Sequence, residues 1–213
     1  MYFQYGDKEI EYLRSKDKKL AEVIDKVGHI DRTVDTDLFS SVVHHIIGQQ
    51  ISTKAQQTIW LRMNEKYGHV TPEVIDSADE AELQSLGMTF RKAEYIKDFS
   101  HKVVSGEFSL DAVWHMSDEE AVEALSSLKG VGVWTAEMIL LFCMQRSDIL
   151  SFGDLAIQRG MRMVYHHRKI DKKLFEKYRR RLSPYGSTAS LYFWAVSGGA
   201  VEGMKDYAPK NKR

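Results

Sequence analysis

Residues 126–144 read SSLKGVGVWTAEMILLFCM, and the chain is interpreted outward from them. Leu128-Lys129-Gly130-Val131-Gly132 carries two glycines in five residues, the composition of a tight turn whose backbone takes positive φ and lies close against another molecule. The following apolar run, Trp134 to Met144, is rich in helix formers, so the turn hands its free N–H groups to a helix start. Upstream, Ser117-Asp118-Glu119-Glu120 has the S-x-x-E form of a capping box and predicts a helix to about Leu125. Helix, glycine turn and helix together present unpaired amides and a positive dipole end, which suit a phosphate. The same outline also serves as plain αα packing, so its meaning rests on its neighbours.

Those neighbours are distinctive. The turn has the form L-x-G-V-G-x-x-T-A, and Phe152-Gly153-Asp154-Leu155-Ala156-Ile157-Gln158-Arg159-Gly160 follows it. The pair resembles the hairpin and the catalytic aspartate loop of the helix-hairpin-helix DNA glycosylases, most closely the 3-methyladenine DNA glycosylase II family. Three more segments are similar to that family: Gly48-Gln49-Gln50-Ile51-Ser52, then Met88-Thr89-Phe90-Arg91-Lys92-Ala93-Glu94-Tyr95-Ile96, then Pro184-Tyr185-Gly186-Ser187 leading to Trp194. Gly186 departs from the pattern, because many members have arginine there. The likeness spans about residues 37–194. It implies an all-α, two-lobed helix-hairpin-helix glycosylase fold over 1–213, with the hairpin motif at about 118–143 and without the N-terminal β domain of larger members.

The resemblance also implies roles. Asp154 would be the carboxylate that stabilises an oxocarbenium-like transition state and orients water; taken alone, an Asp after a glycine is an ordinary helix N-cap. Trp134 stands where lyase-type members have their Schiff-base lysine, so hydrolysis without strand cleavage is expected. Trp134, Trp194, Met138 and Leu155 match positions lining the base pocket. An electron-rich aromatic there favours a cationic alkylated purine, although Met138 and Leu155 are aliphatic where the best-known member is aromatic. Gln49, Gln50, Ser52, Phe90, Arg91, Lys129, Gly130, Gly132 and Thr135 match DNA-facing positions. Phe90 would be the wedge that fills the gap left by an extracted base, while Arg91, Lys92 and Lys129 would face phosphate. No cofactor is expected beyond a structural Na+ or K+ held by the backbone carbonyls of Ser126, Leu128 and Val131.

Composition sets bounds. Thirty basic and 30 acidic residues balance to zero, so no global field marks a nucleic-acid partner. Arg179-Arg180-Arg181 and Lys210-Asn211-Lys212-Arg213 are local candidates for a phosphate patch, or else a solvated helix face and a frayed tail. The one cysteine, Cys143, excludes an internal disulfide and a cysteine-held zinc or iron–sulfur cluster, and its apolar setting reads as a buried thiol. The adjacent His44-His45 and His166-His167 point about 100° apart on a helix and make poor chelates. Without a long apolar run or leader pattern, a soluble, monomeric protein of the cell interior is expected, in the cytoplasm with the chromosome.

Helical spacing of Leu13, Leu20, Val23, Ile24 and Val27 predicts one amphipathic helix ending at Gly28. Further helices are expected after the caps Asp35-Thr36-Asp37, Ser52 and Thr71-Pro72, over 80–86, 155–165 and 172–182. The function these observations favour is a monofunctional glycosylase that flips alkylated bases, such as 3-methyl or 7-methyl purines, out of double-stranded DNA. The competing readings are a relative acting on oxidised or mismatched bases and a non-catalytic damage-binding protein.

Overall fold

The computed structural model describes residues 1–209, so the basic stretch Lys210 to Arg213 lies outside the described residues. The fold is all-α, as expected; the described residues contain no named strand, only an isolated bridge between Tyr2 and Thr33. The chain forms two compact units, one from 1–34 together with 145–213 and the other from 35–144. Among the described residues no helix is long and apolar enough to cross a membrane.

The first unit holds α1 (Asp7–Lys16), α2 (Lys18–Val27), α11 (Leu155–Tyr165), α12 (Lys172–Leu182) and α13 (Gly186–Ser197). The single N-terminal helix predicted from periodicity is in fact two, because Asp17 is extended at φ −144° and ends α1. Its side chain explains the break. Oδ1 accepts the Leu20 amide at 3.0 Å and so caps α2, while Oδ2 takes the Tyr165 hydroxyl at 3.1 Å and an Arg181 N–H at 2.8 Å. A buried carboxylate needs such partners, and a continuous helix would deny them. Leu13, Leu20, Val23 and Ile24 do enter the core, joined by Ile157, Met161, Phe175, Tyr192 and Phe193. Within it α11 and α13 pack backbone to backbone at Gly160, where any Cβ would strike the Phe193 carbonyl.

The expected arginine cluster is divided by these same contacts. Arg181 is held by Asp17 and Arg179 by Glu176 at 2.9 Å, which leaves Arg180 as the exposed member. Gly186 also has a local reason. Asp148 accepts the Gly186 amide at 3.0 Å and the Ser183 hydroxyl at 2.5 Å, and a Cβ on residue 186 would lie 2.9 Å from Asp148 Oδ1. Asp148 is therefore a cap for the start of α13.

The second unit holds α3 (Leu38–Gly48), α4 (Thr53–Tyr67), α5 (Pro72–Ser77), α6 (Glu80–Ser85), α7 (Phe90–Val104), α8 (Leu110–His115), α9 (Asp118–Ser126) and α10 (Val133–Phe142). Asp37, Ser52, Thr71 and Ser117 cap α3, α4, α5 and α9 through side-chain oxygens, with the Ser117/Glu120 capping box intact. Helix α10 is apolar nearly all round and correspondingly buried, including Ile139, Leu140 and Leu141. Phe39 on α3 stacks on Phe99 of α7 at 5.0 Å, so α7 is seated on the central helix of this unit. Cys143 is buried, and loss of water pushes its thiol up to about 12, as expected of an inert cysteine.

Two fold-level outcomes are expected. Asp17→Ala removes the partner of Arg181 and Tyr165 and the cap of α2, and should cost about 3 kcal/mol in denaturant unfolding. For the second unit, burial lowers both His44 and His45 from the ordinary histidine value, Asp35 opposing for each and the Ser41 carbonyl opposing for His45. His45 donates from Nδ1 to that carbonyl at 2.8 Å. As pH falls through about 6.5 the unfolded chain takes up protons that the folded chain refuses, so stability should fall. Urea midpoints measured at about pH 7.5 and about pH 5.5 should drop less for His45→Gln than for wild type.

Candidate nucleic-acid interface and active site

The hairpin is built as its sequence implies. The chain leaves α9, turns through Gly130 at φ +80°, and enters α10 at Gly132, which supplies no side-chain cap. The first turn of α10 thus presents amides that no cap side chain satisfies, beside the exposed Val133 and Trp134. Gly130 is required twice over. Its φ strains any residue with a Cβ, and a Cβ there would enter the ring of Tyr95 on α7. Its carbonyl accepts the Gln49 side-chain amide at 2.6 Å, which brings the Gly48-Gln49-Gln50 segment onto the turn.

Several side chains occupy places other than those expected. Gln49 spends its amide on Gly130, so it shapes the hairpin. Gln50 is exposed with φ +57°, and Ser52 caps α4 through the Ala55 amide at 3.2 Å. Lys129 does not stand clear for phosphate: its ammonium lies 2.8 Å from Asp98 and 4.0 Å from Glu94, and Asp98 is the main cause of its raised pKa. Lys92 also turns inward, donating to the Ile47 and Gln49 carbonyls at 2.8 and 2.6 Å. Arg91 lies over the Tyr95 ring and bonds its hydroxyl. Thr135 is buried, which leaves its backbone rather than its hydroxyl for any ligand. Phe90, by contrast, is 61% exposed at the first position of α7, where a core aromatic would be covered.

The pocket candidates divide in the same way. Trp134 is 46% exposed, while Met138, one turn further along α10, is buried to 3%. In the first unit Trp194 is half-buried against the core, and Leu155 is 78% exposed at the start of α11. Leu155 follows Asp154, which is 7% exposed and heads α11. Asp154 Oδ1 accepts the amides of Ala156 and Ile157, each at 2.8 Å. The N-cap reading of this residue holds, and the cap fixes a carboxylate at a positive helix end. Gln158 ties the preceding loop by donating to the Phe152 carbonyl at 2.6 Å.

For a cation, the hairpin offers neutral oxygens, the donor type that suits an alkali ion. The Leu128 carbonyl already accepts the Val131 amide at 3.1 Å and keeps a lone pair, and the Ser126 hydroxyl is buried with no hydrogen-bond partner among the described residues. These groups fit such an ion. Among the described residues no group of three or more His, Cys, Asp or Glu side chains could hold a metal ion. Tyr95 and Asp98 are partners of the hairpin that sequence reasoning missed as such; they lie some thirty residues before it, with no local signal linking the two.

A glycine hairpin between two helices and a capped aspartate heading a later helix are the two features that the resemblance to a helical DNA-repair family implies. Residues 43–184 match the family described as HhH-GPD superfamily base excision DNA repair protein, and the chain belongs to that superfamily. It is 29% identical over 164 residues to DNA-3-methyladenine glycosylase 1 of Schizosaccharomyces pombe, covering 75% of this chain and 72% of that one. Among solved structures it is similar to a DNA-3-methyladenine glycosidase from Bacillus halodurans, with a TM-score of 0.85, 30% identity and 97% of both chains covered. It is also similar to the Schizosaccharomyces pombe 3-methyladenine DNA glycosylase in complex with abasic DNA, with a TM-score of 0.79, 25% identity and coverage of 91% of this chain and 98% of that one.

The hairpin geometry makes a sharp contrast between its two glycines. Gly130→Ala should cost about 1–3 kcal/mol, from positive φ and the clash with Tyr95. Gly132 has φ −96° and open space where a Cβ would go, so Gly132→Ala should cost well under that in the same urea titration. Equal losses would remove the packing role given to Tyr95.

Proposed function

We propose that this chain is a monofunctional DNA glycosylase that hydrolyses the N-glycosidic bond of alkylated purines, 3-methyladenine and 7-methylguanine among them, in double-stranded DNA. The observation that carries the reading is the seat of Asp154: a buried carboxylate fixed by two amides at the head of α11, in a chain of the HhH-GPD superfamily. The names of the similar proteins, which are 3-methyladenine glycosylases, support the substrate class.

In the proposed reaction the C1′–N bond breaks first and its electron pair leaves with the base. A purine cationic from alkylation departs neutral, which makes it a good leaving group. Positive charge grows on the sugar, and the Asp154 carboxylate stabilises it. Water then bonds to C1′ and gives up a proton, with Asp154 as the base that orients it. Trp134 and Trp194 are the candidates for an aromatic face on the cationic base, and Met138 and Leu155 the aliphatic candidates that the resemblance implies. Because residue 134 is tryptophan, no amine there attacks C1′, so no Schiff base forms and the backbone stays uncut.

Duplex engagement is assigned to the hairpin amides of Gly130, Gly132 and Thr135, to the loop of Gln50 and Ser52, and to Arg91, with Phe90 as the wedge. Lys129 would join only by leaving Asp98. A Na+ or K+ on the carbonyls of Ser126, Leu128 and Val131 would add positive charge beside those amides and hold the turn. The protein is proposed to act as a monomer in the cytoplasm, away from membranes.

The decisive test is release of free base from methylated duplex by wild type and by Asp154→Asn, comparing strand breaks with and without alkali. Wild type should release 3-methyladenine or 7-methylguanine and yield breaks only after alkali. Asp154→Asn should bind duplex nearly as well and lose roughly a hundredfold or more in turnover. Unchanged turnover in the variant would reject Asp154, and breaks without alkali would reject hydrolysis alone.

A further inference from the structure

Lys92 lies in the first turn of α7, two residues after the exposed Phe90, yet its ammonium points into the protein. It donates to the Ile47 carbonyl at 2.8 Å and to the Gln49 carbonyl at 2.6 Å, the groups left open where α3 ends. A cation on a helix C-terminus is favourable for the dipole as well as for the hydrogen bonds. Loss of water around the amine lowers it from the ordinary lysine value, in keeping with this inward pose. With its backbone held, Gln49 reaches across and donates from Nε2 to the Gly130 carbonyl at 2.6 Å.

The consequence falls on one peptide group. In a trans peptide the C=O and N–H point to opposite sides. The group joining Gly130 to Val131 is gripped at both: its carbonyl by Gln49, and its N–H by the Leu128 carbonyl at 3.1 Å. Its orientation determines where the next amides, those at the start of α10, are aimed. Tyr95, one turn beyond Lys92 on α7, closes the space under Gly130.

We propose that Lys92 is a positioning residue that acts through Gln49 on the Gly130–Val131 peptide, pinning the α7 start, the glutamine loop and the hairpin in one arrangement. It does not itself contact phosphate. The assignment rests on the duplex-binding role proposed above for the hairpin, and it differs from what Arg-Lys beside a wedge suggests in sequence. A phosphate-contacting lysine and a pinning lysine both lower affinity when lost, so affinity alone cannot separate them. The salt dependence can, because each phosphate contact on duplex DNA contributes about 0.9 to the slope of log K against log salt.

The test uses the full chain, Lys92→Met, Gln49→Ala and the double variant, with two readouts. Without DNA, exchange of the Val131 amide hydrogen should be several-fold faster in each single variant than in wild type. With a duplex carrying an abasic-site analogue, each single variant should bind roughly tenfold more weakly, the loss expected for one charge-assisted or neutral hydrogen bond in the chain of contacts. The salt slope should match wild type, and the double variant should be no weaker than the weaker single one. A slope reduced by about 0.9 in Lys92→Met would assign Lys92 to a phosphate directly and overturn the proposal. Additive losses, or Val131 exchange unchanged, would overturn it too. Gln49→Ala keeps the test available if Lys92→Met does not fold. Should wild type itself fail to bind the duplex, the glycosylase reading falls, and the exchange measurement still decides whether Lys92 pins the turn.

Discussion

The hairpin in the second unit depends on a left-handed glycine held from two sides. Gly130 takes φ +80° and has no Cβ, so Tyr95 can lie directly beneath it. Its carbonyl is captured by Gln49, and its neighbour Lys129 is paired with Asp98. The three contacts draw on two elements: the loop after α3 in one case, α7 in the other two. A turn of five residues cannot be rigid by itself, since ordering it costs conformational entropy that its own few bonds do not repay. Its fixed shape comes from the helices around it, and that shape aims the amides at the start of α10 for the binding proposed.

The first unit solves a similar problem with different means. Asp154 is a cap before it is anything else, and two amides hold one of its oxygens. The helix it heads is itself held, because Gly160 lets α11 touch the backbone of α13 at Phe193. Asp17 secures the far side of the same core through Tyr165 on α11 and Arg181 on α12. The carboxylate assigned to chemistry is therefore carried by an element with little freedom to shift, as a group that must meet developing charge at a fixed distance requires.

Charge is distributed economically in this chain. With a formal net charge of zero, several basic side chains that a sequence reader would assign to DNA are used internally. Lys92 ends a helix, Lys129 and Arg179 pair with carboxylates, and Arg181 neutralises a buried one. That leaves backbone amides as the principal phosphate donors proposed for the hairpin. Amides carry no formal charge, so beyond the partial charge of a helix end they add little to the long-range field and act mainly at close range.

Local rules acting over a few residues were sufficient for much of this protein. The Ser117/Glu120 capping box, N-cap oxygens, the proline opening α5 and the glycine turn made α3 to α6, α9 to α12, the hairpin and the place of Asp154 at the head of α11 legible in the sequence. Periodicity alone misled at Asp17, because a run of correctly spaced leucines and valines does not reveal that one polar residue between them is buried with partners 148 and 164 positions away. For the same reason the sequence determined which residues are chemically able to serve in the site, while tertiary structure decided how they are used. Exposure left Phe90 and Trp134 at the surface, buried Met138 and Thr135, and turned Lys92 inward. Those outcomes depend on pairings such as Gln49 with Gly130, 81 residues apart, which form only when the helices between them have packed.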